Sequence, residues 1–329
     1  MKRTQLGAFL LGLAAACAAA TAADTLKALR YGTLEAQEVA LDEVLAGRVP
    51  EAGPALLDLL NEAKGIDKIK VVRAKGVLRE TKAVRPLLEL LNDPSNELRM
   101  TVVLSLGRIG DAAAAPSLGG LLAQQDPEMR EAAASALGYC GTGEDVPALG
   151  AALSDPNRMV KLAAVDALGR LGSPLAFPLL KPLLKDADAS LKRHVVTAIG
   201  ALRSTDVDSC LKAWLNDRDP YLRAFSAEAL AKRPANPLLE PDLIRRLSDQ
   251  VLPVQIRAVE ALGAWKSDSA VPALIKVLRS SDPLLRLKTV QTLGTIGDPA
   301  SADPLEYLRD HDAEENIRVA AAEALKGLK

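Results

Sequence analysis

Apolar residues along this chain recur at spacings of three and four, the helical period, and not at the alternate spacing of a strand. Two kinds of helix alternate. An A helix has the pattern Val-x-x-Leu-Leu-x-x-Leu, as from Val84 to Leu91, Val146 to Leu153 and Val271 to Leu278. A B helix has the pattern basic-x-x-Ala-x-x-Ala-Leu-Gly. The joint between them is marked by an Asp, often followed by Pro. Asp93-Pro94 leads to Arg99 and Leu106-Gly107, Asp126-Pro127 to Arg130 and Leu137-Gly138, and Asp155-Pro156 to Lys161 and Leu168-Gly169. Further copies start at Asp186, Asp219, Asp249, Asp282 and Asp310.

A repeat of about 30 residues predicts a stacked helical solenoid, because one unit cannot bury its apolar face without its neighbours. The expected architecture is all-α, an α-solenoid of about nine stacked helical hairpins over residues 34–329, continuous as one elongated domain. The Asp is expected at the N-cap of each B helix, where its carboxylate accepts from free amides, with Pro at the following position. Gly107, Gly138, Gly169, Gly200, Gly263 and Gly294 are expected to end the B helices. Ala187 and Gln250 replace the Pro, His311 does so in the last unit, and Gln255 replaces the base.

The recurring Asp-Pro, basic residue and Ala-Leu-Gly-x-Ile/Leu-Gly, as in Leu168-Gly169-Arg170-Leu171-Gly172, resemble the HEAT-repeat family. The short-repeat form associated with phycobilin lyases is nearest, and the likeness covers residues 34 to 329. It implies a scaffold or adaptor, with an accessory enzyme of the bilin-lyase-like group as the alternative. Such lyases act on cytoplasmic or plastid phycobiliproteins, which an exported chain does not meet. The iron-binding deoxyhypusine hydroxylases of the wider group carry paired His-Glu motifs. Here His194 is followed by Val195 and His311 by Asp312, so the resemblance implies no metal site.

Charge and composition narrow the classes. The chain has 41 basic and 42 acidic residues, without the positive field that neutralisation of a nucleic-acid backbone requires. Lys2 and Arg3 precede an apolar run from Leu6 to Ala20 and a small-residue cleavage pattern at Ala20-Thr21-Ala22. This predicts a signal peptide over 1–22, a linker over 23–33 and export, to a bacterial periplasm. A lipoprotein anchored through Cys17 is the alternative. No later segment is apolar enough to span a bilayer.

The recurring Asp residues and the bases Arg99, Arg130, Lys161, Lys192, Arg223, Arg286 and Arg318 are expected to pair between neighbouring units. Cys140 and Cys210 replace buried aliphatics of other units, at Ile109, Leu171 and Ile296 and at Leu87, Leu149 and Leu274 respectively. Three units separate them, so no disulfide is expected. Trp214 aligns with Leu91, Leu153 and Leu278 and is expected in the core. Gly141-Thr142-Gly143 reads as an inter-helix turn. No nucleophile elbow, Walker loop or Cys-x-x-Cys is present. A non-catalytic protein without a cofactor is expected.

If B helices line the inner face, as the resemblance implies, residues two and five places before the conserved Leu face away from its packing stripe, each residue turning about 100°. In the N-terminal units those rows are small and bland. From His194 onward they carry Phe225, Glu228, Arg257, Glu260, Lys288 and Gln291. These seven residues are the expected site for a protein or peptide partner, with Phe225 as apolar anchor.

Overall fold

The computed structural model describes residues 22–62, 68–185, 189–204 and 206–328, and the described residues are helical with no strand among them. The apolar run Leu6 to Ala20, Cys17, Asp186 and Ala187 lie outside the described residues. The chain divides into two compact units, one up to Ala167 and one from Leu168. In a stack where each repeat touches only its neighbours, compactness belongs to a few consecutive repeats.

In the first unit, α1 (22–31) precedes α2 (Leu34–Leu45). Then follow the pairs α3 (Gly53–Glu62) with α4 (Lys68–Leu78), α5 (Val84–Glu89) with α6 (Asn96–Ile109), and α7 (Ala115–Leu121) with α8 (Pro127–Cys140). The unit closes with α9 (Val146–Ala152), and the boundary falls inside α10 (Arg158–Leu171). In the second unit the pairs are α11 (Phe177–Leu180) with α12 (Ala189–Ala201), α13 (Asp206–Leu215) with α14 (Pro220–Ala231), and α15 (Glu240–Arg246) with α16 (Leu252–Ala264). Two more follow: α17 (Val271–Val277) with α18 (Pro283–Ile296), and α19 (Ala302–His311) with α20 (Glu315–Lys326). Odd-numbered A helices are short and most begin from a 3-10 turn. Even-numbered B helices are longer and pack on the next B helix: α4 on α6 and α6 on α8, then α12, α14, α16, α18 and α20 in series.

The stretch 23–33, expected as a linker, is mostly α1. Leu29 is fully buried there, and Gln37 of α2 donates its side-chain amide to the Leu29 carbonyl at 3.1 Å. One apolar turn is too short to show a period by itself. Gly143–Asp145 forms a 3-10 turn with a reciprocal Thr142–Asp145 capping box, so Gly141-Thr142-Gly143 is the inter-helix turn expected.

The core is Leu, Val, Ile and Ala from both rows. In α6 the buried residues include Leu98, Val102, Val103, Leu106 and Ile109, on one helical stripe. Trp214 is in this core, 9% exposed. Ser226 is fully buried on α14 and its hydroxyl has no hydrogen-bond partner. Ser226→Ala removes an uncompensated polar group and improves helix propensity, so it is expected to raise stability by about 1 kcal/mol in urea unfolding; a loss of stability would show that the hydroxyl is satisfied in solution.

The glycine assignment is corrected. Gly107, Gly138, Gly169, Gly200, Gly263 and Gly294 sit inside the B helices, not at their ends. For Gly107, Gly169, Gly200, Gly263 and Gly294 the role is close approach: a Cβ on Gly107 would lie 2.9 Å from the Ala136 Cβ, one on Gly200 2.8 Å from that of Ala229, and one on Gly294 2.7 Å from that of Ala324. The left-handed caps are the second glycines of the motif, Gly110 with φ +74° and Gly297 with φ +79°.

The Asp position is also corrected, because it occurs in two registers. Asp126, Asp219 and Asp282 are N-caps with Pro at the next residue, and each accepts from a backbone N–H of the first turn. Asp93, Asp155 and Asp249 stand two residues further out, and the caps are Ser95, Asn157 and Val251. In the last unit the equivalent residue is Asp312, not Asp310.

Candidate functional site

Four of the seven recurring bases, Arg130, Lys192, Arg223 and Arg286, pair with an acid of the next repeat. Arg130 binds Asp155 through Nε at 2.7 Å and Nη2 at 2.9 Å. Arg223 binds Asp249 at 2.8 Å twice, Arg286 binds Asp312 at 2.9 and 3.0 Å, and Lys192 binds Asp219 at 2.5 Å. Each arginine's Nη1 also donates to the backbone carbonyls five and six residues earlier, Asp217 and Arg218 for Arg223. Arg99 and Arg318 make the same carbonyl contacts. Gln255 keeps one of them, to the Asp249 carbonyl, but has no charge to continue the pairing. These groups are structural connectors between repeats.

Their protonation follows from the geometry. The Arg130 guanidinium, against the opposing cost of burial, holds the Asp155 carboxyl below the usual carboxylate range, and Arg286 does the same for Asp312. At Asp219 and Asp249 burial works to raise the value, and Lys192 and Arg223, helped by backbone N–H donors, outweigh it.

A second set of charges lies on the B helices of the C-terminal unit, and it gathers four of the seven residues expected as a site. Arg193 of α12 reaches Glu228 of α14 at 3.1 Å. Arg257 of α16 lies 3.6 Å from Glu228 and 2.8 Å from Glu260. Lys288 of α18 reaches Glu260 at 3.4 Å. Burial disfavours the Glu228 carboxylate, yet Arg193, Arg257 and Lys232 together hold its value below the ordinary one. Phe225 is half-buried, with its ring 6.0 Å from that of exposed Tyr221 at 26°. His194 is half-buried on α12, and Arg193 beside it supplies the first cation of the series. Gln291 is exposed one turn beyond Lys288. Arg193, Lys232 and Tyr221 were missed in the sequence because they stand one or four residues off the rows read there.

The cysteines differ from each other. Cys140 is 2% exposed, its thiol donates to the Ala136 carbonyl at 3.2 Å, and burial, with Asp145 adding to it, pushes its pKa up to about 11. It is a protonated core group. Cys210 is only half-buried, which corrects the expectation of a core position: α13 buries Val207, Leu211 and Leu215 instead, a spacing of four where α5, α7, α9 and α17 use three. Both thiols are free.

One charged core residue went unread. Lys75 precedes Gly76 where other repeats place Leu or Ile before Gly, and it is 0% exposed. Its Nζ donates to the Gly53 carbonyl at 2.6 Å and to Glu80 at 2.9 Å. Burial lowers its pKa and Glu80 works the other way. Among the described residues no group of three or more His, Cys, Asp or Glu side chains could hold a metal ion, and no helix is long and apolar enough to cross a membrane.

A family model described as HEAT repeats matches residues 53–138, 120–193, 178–252 and 240–326. A comparison with curated proteins finds no match. Among solved structures the chain is similar to the E. coli protein YibA, at 19% identity over 80% of this chain and 98% of that one with a TM-score of 0.47. It is similar to the CpcE and CpcF complex of phycocyanin lyase from Nostoc, at 21% identity over 75% and 94% with a TM-score of 0.43. It is also similar to human deoxyhypusine hydroxylase, at 23% identity over 84% and 96% with a TM-score of 0.34. At these identities and scores the likenesses carry no functional argument.

Proposed function

The chain belongs to the HEAT-repeat family, and from that premise we propose that it is an exported, non-catalytic scaffold that binds a protein or peptide along its row of B helices. The observation that carries the reading is the series Arg193, Glu228, Arg257, Glu260 and Lys288, in which four consecutive B helices place alternating charge on one face. Partly exposed pairs of this kind are worth at most about 1 kcal/mol each. A partner offering its own charges exchanges with them at little cost, and Phe225 with Tyr221 adds an apolar contact. Export rests on Lys2, Arg3 and the run Leu6 to Ala20.

The test uses the full chain as bait against the native envelope. Phe225→Ala with Arg257→Glu is expected to reduce capture of its specific partner about tenfold, while Ser117→Glu, on an A helix, leaves capture intact. Undiminished capture by the B-face variant would overturn the reading. Intact mass of the same protein is expected to show cleavage near Ala22; an acylated Cys17 would replace the soluble scaffold with a tethered one.

A further inference from the structure

The B face of the N-terminal unit is built differently, and it contains a groove. Leu104, Ile109 and Tyr139 line a hollow of about 520 Å³ between the C-terminal halves of α6 and α8, with Arg79 and Arg108 at its edge. Gly107 and Ala136 meet closely at its floor, and α6 ends at the left-handed cap Gly110. Leu104 is 49% and Tyr139 61% exposed, unusual for large apolar side chains side by side on neighbouring helices.

The charge around it has one sign. Arg79, held out by a left-handed backbone (φ +50°) just after α4, and Arg108 on the last turn of α6 are exposed and make no ion pair with a described residue. Arg73, exposed on α4, makes none either. No acid lines the hollow. Three acids nearby in sequence are committed elsewhere: Glu80 to Lys75, Asp111 to the Ala113 amide and Asp145 to the Thr142 amide. On the B helices of the C-terminal unit Arg193, Lys232, Arg257 and Lys288 each reach a carboxylate; Arg79 and Arg108 reach none.

We infer that this groove binds an acidic peptide segment of a protein partner, with an apolar side chain seated between Leu104 and Tyr139 and flanking carboxylates on Arg79 and Arg108. The inference rests on the scaffold reading above and names its partner's chemistry. An apolar anchor supplies the burial, and two charge-assisted contacts at the rim fix its direction and exclude basic sequences.

The experiment is fluorescence anisotropy of the full chain with two labelled peptides, one with two glutamates flanking a leucine and the same peptide with lysines in place of the glutamates. Binding of the acidic peptide only is expected, weakened about tenfold or more in Arg79→Glu with Arg108→Glu and in Tyr139→Ala. These positions are exposed, and an unchanged melting temperature verifies the fold; Tyr139→Ala serves if the double variant fails to fold. Equal binding of both peptides, no binding of the acidic one, or unchanged affinity in the variants would overturn the groove. Loss in Arg257→Glu alone would also overturn it and leave the scaffold reading standing.

Discussion

Gly107→Val is expected to destabilise the N-terminal unit by about 3 kcal/mol, enough to unfold a marginal repeat stack. The position is helical, so the loss does not come from a forbidden backbone. It comes from the neighbour: the first added carbon would sit 2.9 Å from the Ala136 Cβ and 3.0 Å from its Cα, and backbone cannot turn aside as a flexible side chain can. The two B helices must separate, and the contacts of Leu106 and Leu137 around the seam loosen with them. Gly107→Ala carries the same clash with less bulk and is expected to cost about 1 kcal/mol. Gly120→Ala in α7, where nothing lies within 4 Å of the new Cβ, is expected to gain about 0.5 kcal/mol from helix propensity. The same substitution thus has opposite signs at two helical glycines of one unit. Urea unfolding of the three variants measures this, and a Gly107→Ala as stable as Gly120→Ala would contradict the packing role.

Asp249→Ala is expected to cost about 3 kcal/mol in the C-terminal unit. The Asp249 side chain is 3% exposed and that of Arg223 12% exposed, and removing the carboxylate leaves Arg223 and Arg246 as uncompensated, nearly buried cations. The Val251 amide loses its acceptor as well. Asp310→Ala, at an exposed pair with the adjacent Arg309, is expected to change stability by less than about 0.5 kcal/mol. The pH dependence follows from the same groups. Because Asp155, Asp219, Asp249 and Asp312 have their folded values lowered, their contribution is fully present above the unfolded carboxylate value, about 4. It is lost as pH falls through the lower folded values. Asp249→Asn is expected to flatten the fall in stability below about pH 4; an acid limb as steep as that of the parent would show that the pair titrates no differently in the two states.

Much of this was legible in the chain because the repeat carries it redundantly. The A and B helices follow from apolar spacing alone, and pairing between repeats follows from one acid and one base per unit. What was not legible turns on one- and two-residue shifts. Leu-Gly-x-Ile-Gly offers two glycines three apart; which one meets a neighbouring backbone and which ends the helix depends on where the next B helix lies. Asp-x-x-x-Arg, as at Asp126 and Arg130, and Asp-x-x-x-x-x-Arg, as at Asp93 and Arg99, look like one motif with slack, yet only the first puts the Asp at the cap. In the last unit Asp310 was singled out, though it lies eight residues before Arg318; Asp312, six before it, takes the Arg286 contact. Lys75 was legible in principle, as the Leu-to-Lys change before Gly76. The seven site residues were read by strict helical offsets, which found Glu228, Arg257, Glu260 and Lys288 but missed Arg193, because a paired side chain reaches across from the adjacent position. The groove was invisible to that reading: its edge includes Arg79, which lies in a loop outside any helical row.

The most direct test of the central claim, that the B-helix row is the binding face, is site-specific photocrosslinking in the native envelope. p-Benzoylphenylalanine would be placed at position 135 beside the groove, at position 291 on α18, or at position 117 on A helix α7. The account predicts a discrete protein adduct from the two B-face positions and none from position 117. Adducts from position 117 alone, or from none of the three, would contradict it.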